Sequence, residues 1–452
     1  MVFSSITFLF IFLPLTLLLY YVGKNTTYKN VVLLIASLLF YAWGEPIYVV
    51  LMMISILFNY YIGKDLGRKK SKGTLIFGVI VNLLILGYFK YSGFLVDSIN
   101  DFAGTEINIR AVALPVGISF YTFQAMSYII DVYRGSKAQE KLLPFAVYIT
   151  MFPQLIAGPI VRYDDIERQL SVRVINATNF REGIFIFIKG LAKKVILANC
   201  LGKLHEIVLG MNEVSVLAAW MGALAYTIQI FNDFSGYSDM AIGLGKMMGF
   251  DFPLNFDKPY RSLSVTEFWR RWHISLSTWF REYVYIPLGG NRKGVFRQII
   301  NLLIVWMLTG LWHGAAWNFV LWGAYYGVLL ILEKFVFAKI QSKLPKFIRL
   351  IMTTVIVIIG WVFFFSTSLT GAVEYIKNMF NFGGTLVDSQ SLFYLCSYGV
   401  LIVIGYLPAV IGLGKLHKSP VVLKWIVYVV MFVLSVAFLI SESYNPFLYF
   451  RF

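Results

Sequence analysis

The amino-acid sequence predicts an all-α protein that crosses a membrane many times. Hydrophobic residues make up 59% of the 452 residues, charged residues make up only 14%, and the mean hydropathy is +0.73. Soluble domains contain roughly half apolar and a quarter charged residues. The apolar residues also fall into runs near the ~20 residues that a helix needs to cross a bilayer. A water-soluble globule is therefore excluded as the fold class.

The apolar runs follow one another along nearly the whole chain. They lie near residues 4–22, 31–44, 47–62, 74–95, 113–130, 143–161, 182–200, 215–231, 299–331, 348–368, 393–413 and 423–441. Some are too short for a simple span, because a run of about 10 to 14 apolar residues often forms a re-entrant or interfacial helix. We therefore predict about ten to twelve crossings plus one or two re-entrant or interfacial helices, within a single membrane domain over residues 1–452.

Basic residues between the first runs predict the orientation of the chain. Lys24 and Lys29 follow the first run, residues 44–46 carry no Lys or Arg, and five basic residues crowd residues 63–73. Lys and Arg concentrate in short cytoplasmic loops. We therefore expect an extracellular N-terminus and a cytoplasmic 63–73 loop. The first run shows no small-residue cleavage signature, so we expect it to be retained as a span.

The net charge of +16 does not by itself indicate nucleic-acid binding. Much of the Lys and Arg lies in short clusters between apolar runs, where it can contact anionic lipid. Cys200 and Cys396 lie far apart, each beside or within an apolar stretch, and we expect both to be packing residues. We expect no metal site, because the four scattered histidines include no His-x-x-x-His pair.

The stretch from about 232 to 298 is neither continuously apolar nor linker-like, and it contains a first candidate site. Ser264 and Glu267 fit a capping box, so a helix should begin there. If that helix continues through Glu282, its 100° step places four polar side chains on one face and aromatic side chains on the other. The polar four are Arg270, His273, Ser277 and Arg281, and the aromatic ones are Phe268, Trp272 and Trp279. Such a helix suits a membrane-interface anchor, or a binding site for an anionic acyl donor whose phosphates Arg would hold.

His313 is a second candidate, because no other group in the stretch from Ile299 to Leu332 titrates near neutral pH. Titratable side chains are costly inside a membrane and usually line a cavity or a pathway. A neutral imidazole can take a proton from an attacking hydroxyl or thiol, so we predict a catalytic role. The alternative is a packed histidine that is hydrogen-bonded to Thr309. Gly310 and Gly314 would let another helix or an acyl chain approach closely.

Two further segments could border a site. A polar cluster that begins after Phe231 predicts a turn at the membrane edge, which could line a donor or acceptor channel. Its members are Asn232, Asp233, Ser235, Tyr237, Ser238 and Asp239. The two prolines and the glycine of Phe152–Pro159 predict a broken helix, either a site wall or a kink. We expect His205 and His417 to be ordinary residues of the membrane interface.

Several stretches together resemble the membrane-bound O-acyltransferase family, specifically its bacterial branch typified by alginate O-acetyltransferase. They are Leu114–Gln124, Phe152–Pro159, Asp233–Ala241, Glu267–Glu282, Ile286–Arg292 and Thr309–Phe319. The ordered set covers most of the chain and is more specific than any one stretch. The resemblance implies that His313 is the family's intramembrane catalytic histidine and that His273 is its second characteristic histidine. It also implies helices that ring a central pore, with a cytoplasmic opening for the donor and an extracellular funnel for the acceptor.

The resemblance implies a mechanism as well. A cytoplasmic acyl thioester, expected to be acetyl-CoA, would reach the pore, and His313 would assist deprotonation of the acceptor while His273 orients or binds. The candidate substrate-binding residues are Arg270, Ser277, Arg281, Asp233 and Asn318. We expect no tightly bound cofactor. The resemblance also implies a polysaccharide acceptor and a separate extracellular acetyltransferase resembling SGNH hydrolases, and the lack of a soluble domain after the last apolar run agrees with that expectation.

Two alternative functions stay open at this stage. One is D-alanyl transfer to teichoic acid from a carrier-protein thioester, which is a related activity in which a small acidic carrier would meet the basic cytoplasmic loops. The other is a membrane transporter or channel. That class predicts paired ionisable groups at mid-membrane or an inverted repeat, and the sequence indicates neither.

Overall fold

The computed structural model describes residues 1–109, 112–156, 158–411 and 420–441, which form helices and connecting segments without a β-strand. The chain divides into two compact units. The first comprises Met1–Phe187 and Ser238–Pro253, and the second comprises Ile188–Tyr237 and the described part of Leu254–Phe452.

The helices of the first half are α1 (Leu13–Val22), α2 (Thr26–Ala42), α3 (Tyr48–Lys69), α4 (Lys72–Leu86), α5 (Ser92–Ala103), α6 (Ile118–Arg134), α7 (Leu142–Thr150), α8 (Phe152–Leu155), α9 (Tyr163–Ser171) and α10 (Ala177–Ala192). Those of the second half are α11 (Asn199–Leu209), α12 (Val216–Met247), α13 (Val265–Arg271), α14 (Ile274–Phe280), α15 (Val295–His313), α16 (Trp317–Leu332), α17 (Ala338–Lys343), α18 (Lys346–Phe365), α19 (Leu369–Met379), α20 (Ser389–Val410) and α21 (Val421–Ser441). Single π-helical turns, such as Arg281–Tyr285 and Glu333–Phe337, extend several of them.

Seven helical stretches of the described chain are long and apolar enough to cross a membrane. They are Tyr48–Lys69, Lys72–Ala103, Val295–His313, Trp317–Lys343, Lys346–Phe365, Ser389–Val410 and Val421–Ser441. Two shorter apolar helices, Phe8–Val22 and Thr26–Ala42, precede them. The prediction of an all-α, multi-pass membrane protein is thereby confirmed, whereas the higher count of about ten to twelve crossings stays a prediction.

The polar cluster after Phe231 does not form a turn, and that prediction is wrong. The cluster lies inside α12, which continues as one helix to Met247. The Asn232 amide donates to the Ile228 backbone oxygen in the same helix and to the Gly405 backbone oxygen of α20, both at 2.9 Å. Gly236 permits close packing in the same region, because a Cβ there would lie 2.7 Å from the Gly190 oxygen. A polar side chain that finds backbone acceptors in this way does not require the helix to end.

The break predicted in Phe152–Pro159 is confirmed for the residues that the structure describes, which exclude Ala157. Helix α7 ends at Thr150, Met151 has φ −48° and ψ 108°, and α8 lasts for only four residues. Proline at 153 allows a helix to start but cannot continue one that comes before it.

The expectation for His205 is wrong, and that for His417 falls outside the described residues. His205 is buried rather than interfacial, with Nδ1 at 3.0 Å from the Gly222 oxygen. Its ring packs against Tyr226 and Phe365. The expected packing role also fails for Cys396, which is exposed on α20, while Cys200 is half-buried.

The crossing of α15 and α16 determines where His313 lies. A Cβ on Gly310 would lie 2.2 Å from the Phe319 oxygen, and a Cβ on Gly323 would lie 2.3 Å from the Trp306 oxygen. The two helices therefore touch backbone to backbone, which confirms that Gly310 allows another helix to approach closely. This contact holds the last turn of α15, which ends at His313.

Candidate active site

A cavity of about 840 Å³ in the second unit brings the two candidate regions together. Sites for small-molecule ligands usually enclose roughly 300 to 1,000 Å³. The predicted polar stripe and the predicted catalytic histidine share its wall, in the residues Arg270, His273, Ser277, Arg281 and His313. The aromatic residues predicted for the opposite face, Phe268, Trp272 and Trp279, are buried away from it. The two segments that the sequence singled out, which lie apart in the chain, therefore line one cavity.

The helix that carries the stripe begins where the sequence predicts. The Ser264 hydroxyl oxygen accepts from the Glu267 backbone N–H at 3.0 Å, and the Glu267 carboxylate accepts from the Leu263 N–H at 2.9 Å. The continuous helix through Glu282 is wrong, however. Helix α13 ends at Arg271, and a new helix starts at Ile274.

The break lies at His273, whose φ of 46° and ψ of 53° are left-handed. This conformation is uncommon for a residue with a side chain, and it concentrates at functional sites. Asn255 stabilises the break, since its backbone oxygen accepts from the Ile274 N–H at 3.0 Å. Its side-chain oxygen accepts from the Ser275 hydroxyl at 2.9 Å and from the Ser275 N–H at 3.3 Å. The break changes the direction of the chain, but the four polar side chains of the stripe still line the cavity. They are Arg270, His273, Ser277 and Arg281.

The His273 imidazole is held on several sides. It is only 1% exposed, its Nδ1 lies 3.2 Å from the Asn255 side-chain oxygen, and its ring packs edge-on against Phe234 at 4.7 Å between centroids. His273 lies outside the seven candidate spans. Burial lowers its pKa well below the usual value, and the neighbouring His313 lowers it further. The ring is therefore neutral at pH 7.

His313 lies at the end of α15, against an aromatic shell. Its ring centroid is 5.0 Å from that of Trp312, 5.2 Å from Trp322 and 5.4 Å from Phe364. The Thr309 hydroxyl donates to the Val305 oxygen at 2.7 Å, so its proton is not directed at His313. The hydroxyl oxygen of Thr309 can still accept a hydrogen bond from the His313 ring, so the packed-histidine alternative stays open.

The charged side chains of the cavity wall are mostly cationic. Arg270, Arg281, Lys334 and Arg349 contribute four positive charges, and Glu333 contributes one negative charge. The Glu333 carboxylate accepts from the backbone N–H groups of Val265 and Thr266, at 2.7 and 3.1 Å. Arg281 also contacts Glu282, at 2.7 Å. An excess of guanidinium and ammonium groups favours a ligand that carries phosphate.

Sequence reasoning missed Lys334 and Arg349 as site residues. They lie beyond the candidate segments, in the π-turn after α16 and on α18. Their only signal in the sequence is a basic residue next to an apolar run, and many other Lys and Arg residues of this chain share that position. Among the described residues, no group of three or more His, Cys, Asp or Glu lies together as a metal site would require.

Residues 47–373 match the sequence model of the MBOAT, membrane-bound O-acyltransferase family. That match covers well over half of the chain. The chain belongs to the membrane-bound O-acyltransferase family. The protein is therefore an integral-membrane O-acyltransferase, and the resemblance seen in the sequence motifs is confirmed.

Curated relatives of this acyltransferase agree with the branch that the motifs indicated. It is 44% identical over 436 residues to the probable alginate O-acetylase of Pseudomonas aeruginosa, which covers 94% of this chain and 84% of the relative. It is 34% identical to the peptidoglycan O-acetyltransferase of Helicobacter pylori, over 85% and 80% of the two chains. The teichoic acid D-alanyltransferase of Bacillus subtilis is 31% identical, over 50% of this chain and 60% of its own.

Two candidate binding residues of the acyltransferase do not line this cavity. Asp233 lies in α12 and forms a buried ion pair with Lys194, at 2.5 Å. The Asn318 amide donates to the Ser366 oxygen at 3.0 Å. Their predicted role in substrate binding stays a prediction. The transporter alternative is not supported, because membership of an acyltransferase family assigns the chain to an enzyme class.

Proposed function

We propose that this acyltransferase moves an acetyl group from acetyl-CoA on the cytoplasmic side toward O-acetylation of a polysaccharide outside the cell. The observation that carries the proposal is the meeting of His273 and His313 in one cavity with a cationic wall. The names of the relatives from Pseudomonas and Helicobacter, which refer to alginate and peptidoglycan acetylation, support the acetyl group and the polysaccharide acceptor.

His313 acts as the general base in this proposal. An acceptor hydroxyl attacks the thioester carbonyl carbon while the His313 imidazole takes the hydroxyl proton. The new C–O bond forms, the C–S bond breaks, and the departing thiolate takes the proton from the imidazolium. His273 orients the acceptor by a hydrogen bond. The ring centroids lie 6.3 Å apart, so both side chains can contact one acceptor molecule.

The cationic wall binds the phosphates of CoA. Arg270 and Arg281, which the sequence predicts for this role, are joined by Lys334 and Arg349. Ser277 adds a hydroxyl on the same wall. Guanidinium groups bind phosphate through paired, charge-assisted hydrogen bonds, so the wall would hold the adenosine end of the donor and direct the acetyl group to the histidines.

The remaining parts of the proposal concern topology and partner. The basic loop at 63–73 supports a cytoplasmic position for that loop and an extracellular N-terminus. Residues 1–452 act as one catalytic domain, which the donor enters from the cytoplasm and the acceptor from the outside. A separate extracellular acetyltransferase resembling SGNH hydrolases passes the acetyl group to the polymer.

Sealed membrane vesicles of both orientations test this function. Each is incubated with radiolabelled acetyl-CoA outside, and transfer of label is followed with and without the secreted partner and a polysaccharide. Transfer by inside-out vesicles, and none by right-side-out vesicles, is expected. A parallel incubation contains a carrier protein charged with labelled D-alanine in place of acetyl-CoA. Transfer of label from that carrier but not from acetyl-CoA would overturn the acetyl-CoA proposal and favour D-alanyl transfer.

A further inference from the structure

Asn255 makes a set of contacts that the proposed function does not use. Its side chain is fully buried, outside the cavity wall, and its oxygen lies 3.2 Å from His273 Nδ1. The same oxygen accepts from the Ser275 hydroxyl at 2.9 Å and from the Ser275 backbone N–H at 3.3 Å. One amide oxygen therefore joins the histidine to the first turn of α14.

These contacts determine which end of the amide faces the imidazole. A backbone N–H can only donate, so the Asn255 atom beside the Ser275 N–H must be the oxygen. That oxygen is also the atom next to His273 Nδ1, which must then carry a proton in order to donate. A neutral imidazole carries only one proton, so Nε2 is left with its lone pair.

An amide is better suited to this position than a carboxylate. A carboxylate would accept the same proton, but it would also favour the charged imidazolium. The amide orients the ring without adding a charge, as the asparagine does in Cys-His-Asn sites. The Asn255 amide nitrogen is buried and donates to none of the described residues. The oxygen alone therefore accounts for the hydrogen bonds of this side chain.

We propose that Asn255, locked by Ser275, is a positioning residue that fixes His273 as the Nδ1-protonated tautomer. Nε2 is then the nitrogen that can accept a hydrogen bond from a group in the cavity. The tautomer is a property of the protein alone, whereas its importance for catalysis rests on the proposed acyl transfer.

Nitrogen-15 NMR of the full-length protein in lipid, with labelled histidine, tests the tautomer directly. The His273 signals are assigned by their loss in His273→Gln. We expect a protonated Nδ1 and an unprotonated Nε2 in the wild type, and a mixture of tautomers in Asn255→Ala. Asn301→Ala is the matched control, because Asn301 is also fully buried but bonds to Leu288 and Gly290. A protonated Nε2 in the wild type, or an unchanged His273 signal in Asn255→Ala, overturns the assignment.

Asn255→Asp is a second test of the tautomer, which can be used if Asn255→Ala does not fold. The carboxylate keeps the acceptor and adds a charge, so both His273 nitrogens should carry protons at neutral pH; an unaltered neutral ring would contradict the proposal.

In acetyl transfer, Asn255→Ala should lower kcat about 10- to 100-fold, as loss of a supporting hydrogen bond does at other sites, with an unchanged KM for acetyl-CoA. An altered tautomer with a normal kcat refutes the positioning role. If the wild type transfers no acetyl group at all, the proposed function fails while the tautomer result stands.

Discussion

The imidazole rings of His273 and His313 lie 6.3 Å apart between centroids, with their planes inclined by 64°. His273 comes from a left-handed break between two short helices, and His313 comes from the last turn of a long apolar helix. Two histidines from separate segments therefore meet at one cavity wall. This convergence suits a general base and an orienting partner, because His313 can take the proton of the attacking hydroxyl while His273 contacts another group of the same acceptor.

Replacement of Arg270 by Gln should raise the KM for acetyl-CoA about tenfold, which corresponds to ~1.4 kcal/mol, and should change kcat little. The reason is that Arg270 lines the cavity but lies on its exposed side, where it can bind phosphate without touching the acetyl group. Initial rates over a range of donor concentrations measure the change. Arg292→Gln is the control, since Arg292 is exposed and does not line the cavity. Equal KM values for Arg270→Gln and wild type would remove Arg270 from the donor site.

Loss of either partner of the Lys194–Asp233 pair should destabilise the fold severely. Both side chains are almost fully buried, and an unpaired buried charge costs about 3 to 5 kcal/mol. Thermal unfolding in detergent should show a large loss for Lys194→Met and for Asp233→Leu, with substantial recovery in the double variant. A recovered double variant with a normal KM would make Asp233 structural. A stable Asp233→Leu that has lost only substrate affinity would instead support the predicted binding role.

Addition of a methyl group at Gly310 should weaken the contact between α15 and α16. A Cβ there would lie 2.2 Å from the Phe319 oxygen, so the helices must separate, and overpacking of this kind costs about 1 to 3 kcal/mol. Gly310→Ala should therefore unfold at a lower temperature in detergent and transfer acetyl more slowly, because His313 ends the same helix. Gly399→Ala is the matched control, since a Cβ at Gly399 meets no atom within 4 Å. Equal melting temperatures for both variants would contradict the packing.

Much of the site could be predicted from the sequence, because helical periodicity and membrane cost act locally. The 100° step placed Arg270 and Ser277 beside His273, and the isolation of His313 in an apolar stretch marked it as functional. Both segments line the cavity although the helix under the stripe is broken, and the catalytic role of His313 stays a prediction. Periodicity does not detect one left-handed residue, since the signal that creates the break comes from Asn255, which lies in an earlier loop.

The errors have a shared cause in contacts between distant segments. The segment from Asn232 looks like a turn because polar residues favour turns, yet inside the helix the Asn232 amide reaches the backbone oxygens of Ile228 and Gly405. His205 looks interfacial beside a lysine, yet the Gly222 oxygen and two aromatic rings hold it inside. Lys334 joins the site from another helix. The sequence of one segment does not contain these partners.

The most direct test of the account is acetyl transfer by His313→Gln, compared with His205→Gln at equal amounts of folded protein. Both histidines are buried in the second unit, but only His313 lines the cavity. Glutamine keeps hydrogen-bonding capacity and cannot take the proton, so His313→Gln should lower transfer about 10²- to 10⁴-fold, the usual contribution of a general base. His205→Gln should keep most of the wild-type rate. A His313→Gln protein that transfers acetyl as fast as wild type would contradict the central claim that His313 is the base.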